Sequence, residues 1–416
     1  MLSWLLQNWT WIFLGAFLQP ALEAVLVTAG IWHFHTNFRV APQKFTGMII
    51  QITTVGKEHE RVTQLIDEVR TLGLVMPYQI WVVMEPGFDS SYPRADRVIV
   101  VPASFTARGR YKIRALEYAR LLRQHEGLGR PDIKILFLDD DTTPTRAYVE
   151  LAFAGDYDVC QGVTAPRIQY GTGSFNHWVL SHMDDMRFAA CFIYCSFFQG
   201  LVKKPVYVHG EGLCATGLAE QTVTWDFPVW ASEDLVFGQN AARKHLRWGW
   251  FHEYIQITSP WSWGAYLDQR RRWLWGNIYA ITHRGVLPVW GRFLVAAKYL
   301  VGFLTFAFSL AGVILLATHV AATSGATYVF FWASLFAWLF IFAVSGWVNS
   351  KHEGETWTFG YLVHRIWHTI AAVLLSPVTD VWTILALFIV TCMGDPKAFV
   401  TIPKTNGNGK NGHGNP

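Results

Sequence analysis

The stretch IKILFLDDDTT, residues 133–143, decides the fold. Its apolar part, residues 133–138, is typical of a buried β-strand, and it ends in three consecutive carboxylates, Asp139, Asp140 and Asp141. Ligands of open α/β sheets bind outside the carboxyl ends of the strands, so these acids are predicted to face a ligand. Adjacent carboxylates repel one another unless a cation lies among them, and a divalent cation carrying phosphates fits this requirement. Alone, the motif is equally consistent with a solvated acidic turn or a helix N-terminus.

The composition indicates a protein that lies partly in a bilayer. Hydrophobic residues make up 52% of the 416 positions, with 21 Trp and 29 Phe, and only 15% are charged. The net charge of +4 is too small to indicate nucleic acid, and the basic cluster at residues 108–114 is too short to do so. The five cysteines include no CxxC pair, so neither a disulfide framework nor a zinc site is indicated, and a reducing, cytosol-facing catalytic part is expected.

Apolar segments at both ends are predicted to cross the membrane. Residues 9–32 are long enough, and Glu23 within them is expected to face protein rather than lipid. Arg39 and Lys44 follow directly, so the positive-inside rule places the next segment in the cytoplasm. Residues 293–320 and 328–348 are further spans, whereas residues 361–391 are interrupted, which leaves their topology open. We expect a membrane helix and linker at 1–44, a catalytic domain at 45–277, membrane or interface helices at 278–396, and a disordered tail at 397–416.

Between these segments the apolar periodicity is that of an α/β domain. Strands are predicted at residues 48–53, 78–84, 97–101 and 133–138, and helices at 59–72 and 111–124. Because strands and helices alternate, the sheet should be mostly parallel. No glycine-rich phosphate loop of the GxGxxG or Walker type occurs, so a bound nucleotide would have to be held by metal and side chains.

Two further motifs lie downstream. Glu233 and Asp234 open a predicted helix, where the helix dipole alone favours acids and Ser232 can act as a cap, but Asp234 can equally be a general base. In QRRRW, residues 269–273, Arg272 is predicted to point inward with Gln269 and Trp273. Arg270 and Arg271 are predicted to meet phosphate or lipid headgroups. The alternative is a positive anchor beside a membrane segment.

Together and in this order, these motifs resemble those of the membrane-bound, family-two nucleotide-sugar glycosyltransferases of GT-A fold, the group of the cellulose, chitin and hyaluronan synthases. Within that group the chain is most similar to the Egghead-type β-mannosyltransferases. The resemblance rests on FLDDDTTP at residues 137–144, SED at 232–234, QRRRW at 269–273 and the flanking membrane helices. It implies an α/β catalytic domain with a Rossmann-like, mostly parallel sheet.

The resemblance also implies roles for individual residues. Asp139 and Asp141 would hold Mg²⁺ or Mn²⁺ and the donor diphosphate, with Asp140 between them. Asp234, beside Glu233, would deprotonate the acceptor hydroxyl, which attacks with inversion. Gln269, Arg272 and Trp273 would close over the donor, and Arg272 would help to neutralise the leaving diphosphate. Lys112, in the Lys-x-x-Ala pattern, would contact the donor phosphates, and Glu58 would lie near the base.

The nucleotide base and the acceptor are less defined. The usual Asp-Asp after the second strand is replaced by MEPG, residues 84–87, so Glu85 is a base or ribose contact only by position, and UDP and GDP both stay open. Trp230 is predicted to face the acceptor because it lies close to Asp234 in the sequence. Gly210 and Glu211 are predicted to shape the acceptor pocket, although HGEG is also typical of a tight turn.

The expected function is an inverting, metal-dependent glycosyltransferase that uses a nucleotide sugar and a membrane-associated acceptor, such as a lipid-linked glycan or glycolipid. A processive polysaccharide synthase is the first alternative. QxxRW favours processivity, whereas only three or four membrane segments favour single transfer. A membrane-anchored nucleotide- or lipid-binding module without chemistry is the alternative from another class. No nucleic-acid partner is expected.

Overall fold

The fold is an α/β domain joined to long apolar helices. The computed structural model of the chain describes residues 10–167, 175–317, 325–350 and 357–396. The strands are β1 (Gly47–Thr54), β2 (Tyr78–Met84), β3 (Arg97–Val100), β4 (Ile133–Asp139), β5 (Thr142–Pro144), β6 (Val159–Arg167), β7 (Cys214–Thr216) and β8 (Trp248–Thr258). The helices are α1 (Thr10–Trp32), α2 (His59–Thr71), α3 (Lys112–His125), α4 (Arg146–Ala154), α5 (Phe175–Met183), α6 (Asp185–Ala190), α7 (Gly217–Val223), α8 (Glu233–Arg243), α9 (Trp263–Thr282), α10 (Val289–Ala317), α11 (Gly325–Asn349) and α12 (Phe359–Cys392). A π-helical segment, Cys191–Leu201, follows α6.

The eight strands form one sheet in the order β3-β2-β1-β4-β7-β6-β8-β5. The pairs β1 with β2, β1 with β4, β2 with β3 and β6 with β8 are parallel, whereas β7 and β5 pair antiparallel with their neighbours. The predicted α/β class with a mostly parallel sheet is confirmed, and the first six elements agree with their predicted bounds to within one or two residues. The parallel register places the carboxyl ends of β1, β2 and β4 side by side.

Both faces of the sheet are buried, which explains why its strands read as nearly continuous apolar runs. On β1, Ile50 and Ile52 pack into one core with Leu65 of α2, whereas Ile49 packs into a second core with Leu116 of α3. On α2 the buried positions are 62, 65, 66 and 69, the spacing of one helix face. Alternate strand residues are therefore fixed against different helices, and a slip of one position would exchange the two cores.

A buried ion pair ties α3 to the sheet and to α7. The Arg123 Nε donates to Glu220 Oε2 at 2.9 Å, both side chains are fully buried, and Trp225 Nε1 donates to Glu220 Oε1 at 2.9 Å. Arg123 also donates to Gln51 of β1. Loss of one partner of such a pair leaves an uncompensated buried charge, at a cost of roughly 3–5 kcal/mol. The pair thus holds α3, whose first residue is Lys112, in place.

Within the described ranges, three helices are long and apolar enough to cross a membrane: Phe13–Trp32 in α1, Val289–Leu315 in α10 and Tyr328–Asn349 in α11. In α12, Phe359–Ser376 and Val381–Cys392 meet at a bend of 52° and would form a fourth, broken span. The helix α1 packs against α10, α11 and the π-helical segment, so apolar helices on both sides of the α/β domain in sequence pack together. The predicted tail at 397–416 lies outside the described residues.

Candidate active site

The predicted site residues, with one exception, line a single cavity of about 1440 Å³. Its lining includes Glu58, Glu85, Lys112, Asp139, Asp140, Asp141, Gly210, Glu211, Glu233, Asp234, Gln269, Arg272 and Trp273. Trp230 is half-buried and is not among the residues that line the cavity in the described part of the chain. These site residues span more than 200 positions in the sequence but line one cavity.

The parallel strands bring the acids together. In the register of β1 with β4, Thr53 pairs with Asp139, so Asp140 and Asp141 follow at the carboxyl end of β1. The Thr54 hydroxyl donates to Asp140 Oδ2 at 2.9 Å. Glu85 directly follows β2, and its carboxylate pairs with the guanidinium of Arg114 on α3. The sequence prediction that the acidic motif ends a central strand at the ligand edge of the sheet is therefore realised in the fold.

Lys112 is the cation at the centre of this acidic edge. Its Nζ lies 2.5 Å from Asp139 Oδ1 and 3.2 Å from Glu233 Oε1, so it joins β4 to α8. Burial lowers the pKa of Lys112, but the charges of Asp139 and Glu233 outweigh burial and hold the pKa above its usual range. Lys112 is therefore charged at any physiological pH and offsets part of the surrounding negative charge.

One lysine does not neutralise the site. Burial raises the pKa of Asp139 to about 6; Lys112 opposes this shift, and the negative charges of Glu211 and Asp141 add to it. Burial is the main cause of this raised pKa, and the nearby carboxylates Glu211 and Asp141 leave a surplus of negative charge that Lys112 offsets only in part. A divalent cation between Asp139 and Asp141 would relieve this surplus, so the residues fit the metal that the sequence motif predicts.

Asp234 has the properties of a general base near neutral pH. Burial raises its pKa to about 7, with a further contribution from the charge of Glu233. It lies in the first turn of α8, where the Leu235 N–H donates to its Oδ1 at 2.8 Å. Ser232 precedes the helix in a left-handed conformation, with φ of 60°, and its side chain makes no capping hydrogen bond. The two acids are therefore not explained by an ordinary Ser232 cap.

The loop that contains Gly210 and Glu211 closes one side of the cavity. A Cβ atom on Gly210 would lie 2.9 Å from Lys112 Nζ, 3.8 Å from Asp234 Oδ2 and 3.9 Å from Asp139 Oδ2. The backbone at Gly210 thus lies between the base candidate and the donor acids, where only a glycine leaves room. Burial raises the pKa of Glu211, but Arg187 and His209 outweigh burial and lower the pKa to about 2.

The helix α9 carries QRRRW across the cavity. Gln269 is buried, and Arg272 and Trp273 line the cavity as predicted. The sequence predicts that Arg270 and Arg271 meet phosphate or lipid headgroups, but in the structure both contact protein groups. The Arg270 Nη2 donates to the buried Asp184 at 2.6 Å, and Arg271 donates to backbone carbonyls of residues 393–395. Both arginines are thus engaged within the protein, where they hold α9 against α6 and the end of α12.

Sequence reasoning missed Arg187. It lies on α6, where its guanidinium reaches Glu211 at 3.4 Å and sits 4.8 Å from the ring centre of Trp273. It therefore links the Gly210 loop to α9. The available signal was a single basic residue before the long apolar run 188–198, because an isolated charge in such a context often has a function.

The cavity does not end at the charged cluster but continues between the apolar helices. This part is lined mainly by apolar side chains, with few polar ones. The lining includes Phe303, Phe306, Leu310 and Val313 of α10, Phe331, Leu335 and Trp338 of α11, and Phe388 of α12. Ser309, Lys298 and Glu23 are among the polar residues. One continuous space therefore joins the carboxylates to the region between the long apolar helices.

Comparison with known proteins gives the family. The profile of glycosyl transferase family group 2 matches residues 134–342, half of the chain. The chain belongs to this family. The match contains the acidic motif after β4, the start of α8, the helices α9 and α10, and most of α11. The enzyme class that the motifs predict, a glycosyltransferase, is the class of this family.

The chain is also similar to curated β-1,4-mannosyltransferases, each over about half of its length. The chain is 27% identical over 215 residues to β-1,4-mannosyltransferase bre-3 of Caenorhabditis briggsae, which covers 50% of this chain and 46% of that protein. It is 26% identical over 220 residues to β-1,4-mannosyltransferase egh of Drosophila melanogaster, covering 51% and 47%. The chain spans about half the length of the curated relatives it matches.

A solved structure also resembles the chain. It is the mannosyltransferase PcManGT from Pyrobaculum calidifontis in complex with GDP-Man and Mn²⁺. Its sequence identity is 14% and the TM-score is 0.48, with 92% of this chain and 99% of that chain covered.

Gly276 on α9 provides a test of how tightly this helix is positioned. A Cβ at Gly276 would lie 2.7 Å from Ser232 Oγ and 2.9 Å from Ala231 Cβ, so Gly276→Ala must shift α9 or the turn before Asp234. We expect sugar transfer to fall roughly tenfold to a hundredfold, because a displacement of about 1 Å at a catalytic group has effects of this size.

The matched control is Gly264→Ala on the same helix, where the new Cβ would meet only Ser262 Oγ at 4.0 Å. Both changes add the same helix propensity, so a difference in rate between the two variants reports the steric contact. Equal, normal transfer rates would show that the turn before Asp234 adapts freely.

Proposed function

We propose that the chain is an inverting, metal-dependent glycosyltransferase that moves a sugar from a nucleotide-sugar donor to an acceptor held at the membrane. One observation carries the proposal. The half-buried acids and the apolar space between the long helices belong to the same cavity, so donor chemistry and a membrane-embedded acceptor would meet without a separate path. We further propose, from Arg39 and Lys44 after α1, that the catalytic domain faces the cytoplasm.

The acidic edge of the sheet is the proposed donor site. Asp139 and Asp141 would hold Mg²⁺ or Mn²⁺, which stabilises the negative charge of the diphosphate when bound. Such ions take further ligands from phosphate and water. Lys112 and Arg272 would contact the phosphates, while Glu58 and Glu85 line the same end of the cavity, near the base and ribose.

Asp234 is the proposed base. With the donor on the acids at the end of β4, an acceptor hydroxyl beside Asp234 would attack the anomeric carbon from the side opposite to the diphosphate. Asp234 takes the hydroxyl proton as the new bond forms and the bond to the diphosphate breaks, so the configuration is inverted. Glu233 assists through its charge, which contributes to the raised pKa of Asp234, and through its ion pair with Lys112.

The apolar end of the cavity is the proposed acceptor path. Its Phe, Leu and Val side chains suit the chain of a lipid better than a polysaccharide, which would need polar partners for its hydroxyl groups. Single transfer to a lipid-linked glycan or glycolipid is therefore favoured over processive extrusion. The names of the curated relatives make mannose the first sugar to test.

The donor assignment predicts a metal-dependent reaction with one nucleotide sugar. Purified protein in detergent with Mn²⁺ or Mg²⁺ is offered GDP-mannose, UDP-glucose, UDP-GlcNAc and UDP-galactose in turn, with a membrane lipid extract. Release of nucleoside diphosphate from one donor, abolished by EDTA and by Asp141→Asn, is expected. A product of one added sugar separates single transfer from polymerisation.

Asp234→Asn tests the transfer step separately from donor binding. It removes the base but none of the proposed donor ligands, so donor binding should stay within about twofold while transfer falls roughly a hundredfold or more. A normal transfer rate in Asp234→Asn would overturn the base assignment. Absence of donor binding in the unaltered protein, with every donor, would favour a non-catalytic membrane module.

The raised pKa of Asp234 predicts the pH dependence. The base acts only when deprotonated, so kcat/KM should fall about tenfold per pH unit below a value near 7 and level off above it. A bound divalent cation nearby favours the carboxylate form of Asp234, so the fall in kcat/KM would begin at a lower pH. A rate independent of pH from 4 to 8, measured with saturating metal, would contradict the assignment of Asp234.

A further inference from the structure

A cluster of soft ligands lies next to the proposed active site and has no part in the mechanism above. Cys191 and Cys195 lie in the π-helical segment, and His209 directly precedes Gly210. The His209 Nε2 lies 3.3 Å from Cys191 Sγ and 3.4 Å from Cys195 Sγ. All three side chains are buried, and their ligand atoms lie within 4.8 Å of one another.

These separations match those around a zinc ion. With bonds of about 2.3 Å to sulfur and 2.0–2.1 Å to nitrogen, tetrahedral ligand atoms lie about 3.5 Å apart. The distances from His209 to the two sulfurs are close to this value. Two sulfurs and one imidazole select zinc over Mg²⁺ or Mn²⁺, which prefer oxygen. The cluster is thus chemically different from the carboxylates at the end of β4.

A backbone group supports the sulfur of Cys191. The backbone N–H of Thr164 donates to Cys191 Sγ at 3.4 Å. A supporting hydrogen bond to a ligand sulfur is a common feature of metal sites.

We propose that Cys191, Cys195 and His209 bind one zinc ion, separate from the catalytic cation. His209 lines the active-site cavity, and the three protein ligands leave a fourth position for water or another ligand. The ion would anchor the π-helical segment to the loop of Gly210, which lies between the donor acids and Asp234. Sequence spacing does not identify this site, because the two cysteines form no CxxC pair and His209 lies 14 residues beyond the second.

Metal content tests the proposal on the full chain in detergent. Cys191→Ser with Cys195→Ser is expected to hold about one zinc ion fewer per chain than the unaltered protein. The control pair is Cys160→Ser with Cys214→Ser. These two thiols are equally buried and contact the carbonyl of Ala152, but they belong to no metal-sized group in the described residues. The zinc content of this control variant should therefore equal that of the unaltered protein. Asp141→Asn should also leave it unchanged. Equal zinc content in both cysteine variants would overturn the proposal.

Binding of Co²⁺ in place of zinc tests the proposed site without any variant. Co²⁺ bound by thiolates gives an intense sulfur-to-metal absorption band, which carboxylate and imidazole ligands do not give. His182, Asp185 and His368 form a second metal-sized group, but it has no sulfur, so the band reports on the cysteine cluster alone. We expect the band at about one Co²⁺ per chain, displaced by Zn²⁺. Its absence in folded protein would show that the cluster is only a network of thiol–imidazole hydrogen bonds.

Discussion

The contact of Lys112 with Asp139 and Glu233 is the interaction on which the rest of the active site depends. It joins the first residue of α3, the last residue of β4 and the first turn of α8, three elements far apart in the chain. A concentration of buried acids is costly without positive charge, and one lysine meets only part of that need. In the proposed function, a divalent cation would offset the remaining negative charge and bind the diphosphate of the donor. Donor binding and stability of the site would then have the same electrostatic origin.

A second constraint comes from the membrane part. The helices α10 and α11 line the same cavity as the carboxylates, and Arg270 and Arg271 hold α9 between the two regions. Arg187 connects α9 to the Gly210 loop from the other side. The same contacts therefore hold the polar and apolar ends of the cavity in place. The reactive hydroxyl of a lipid-anchored acceptor would be presented to Asp234 where these two ends of the cavity meet.

Local patterns predicted the elements well because strand and helix periodicities are set by burial on the faces of this sheet. Asp139, Asp141 and Asp234 could be singled out for a similar reason: Asp139 ends β4, Asp141 follows two residues later, and Asp234 lies in the first turn of α8. What sequence could not give depends on contacts between distant segments. Arg270 finds Asp184 rather than phosphate, Trp230 lies outside the cavity lining although it is near Asp234 in sequence, and Cys191 and Cys195 meet His209 through a π-helical turn.

The central claim is that donor site and membrane cavity are one functional space. Ser309→Trp places a large side chain on the α10 lining of the cavity. Leu300→Trp on the same helix alters a side chain that is 58% exposed and outside that lining. Transfer to lipid acceptor and donor binding are measured for both variants. The account predicts that Ser309→Trp binds the donor normally but loses most transfer, while Leu300→Trp keeps both. Normal transfer in Ser309→Trp would contradict it.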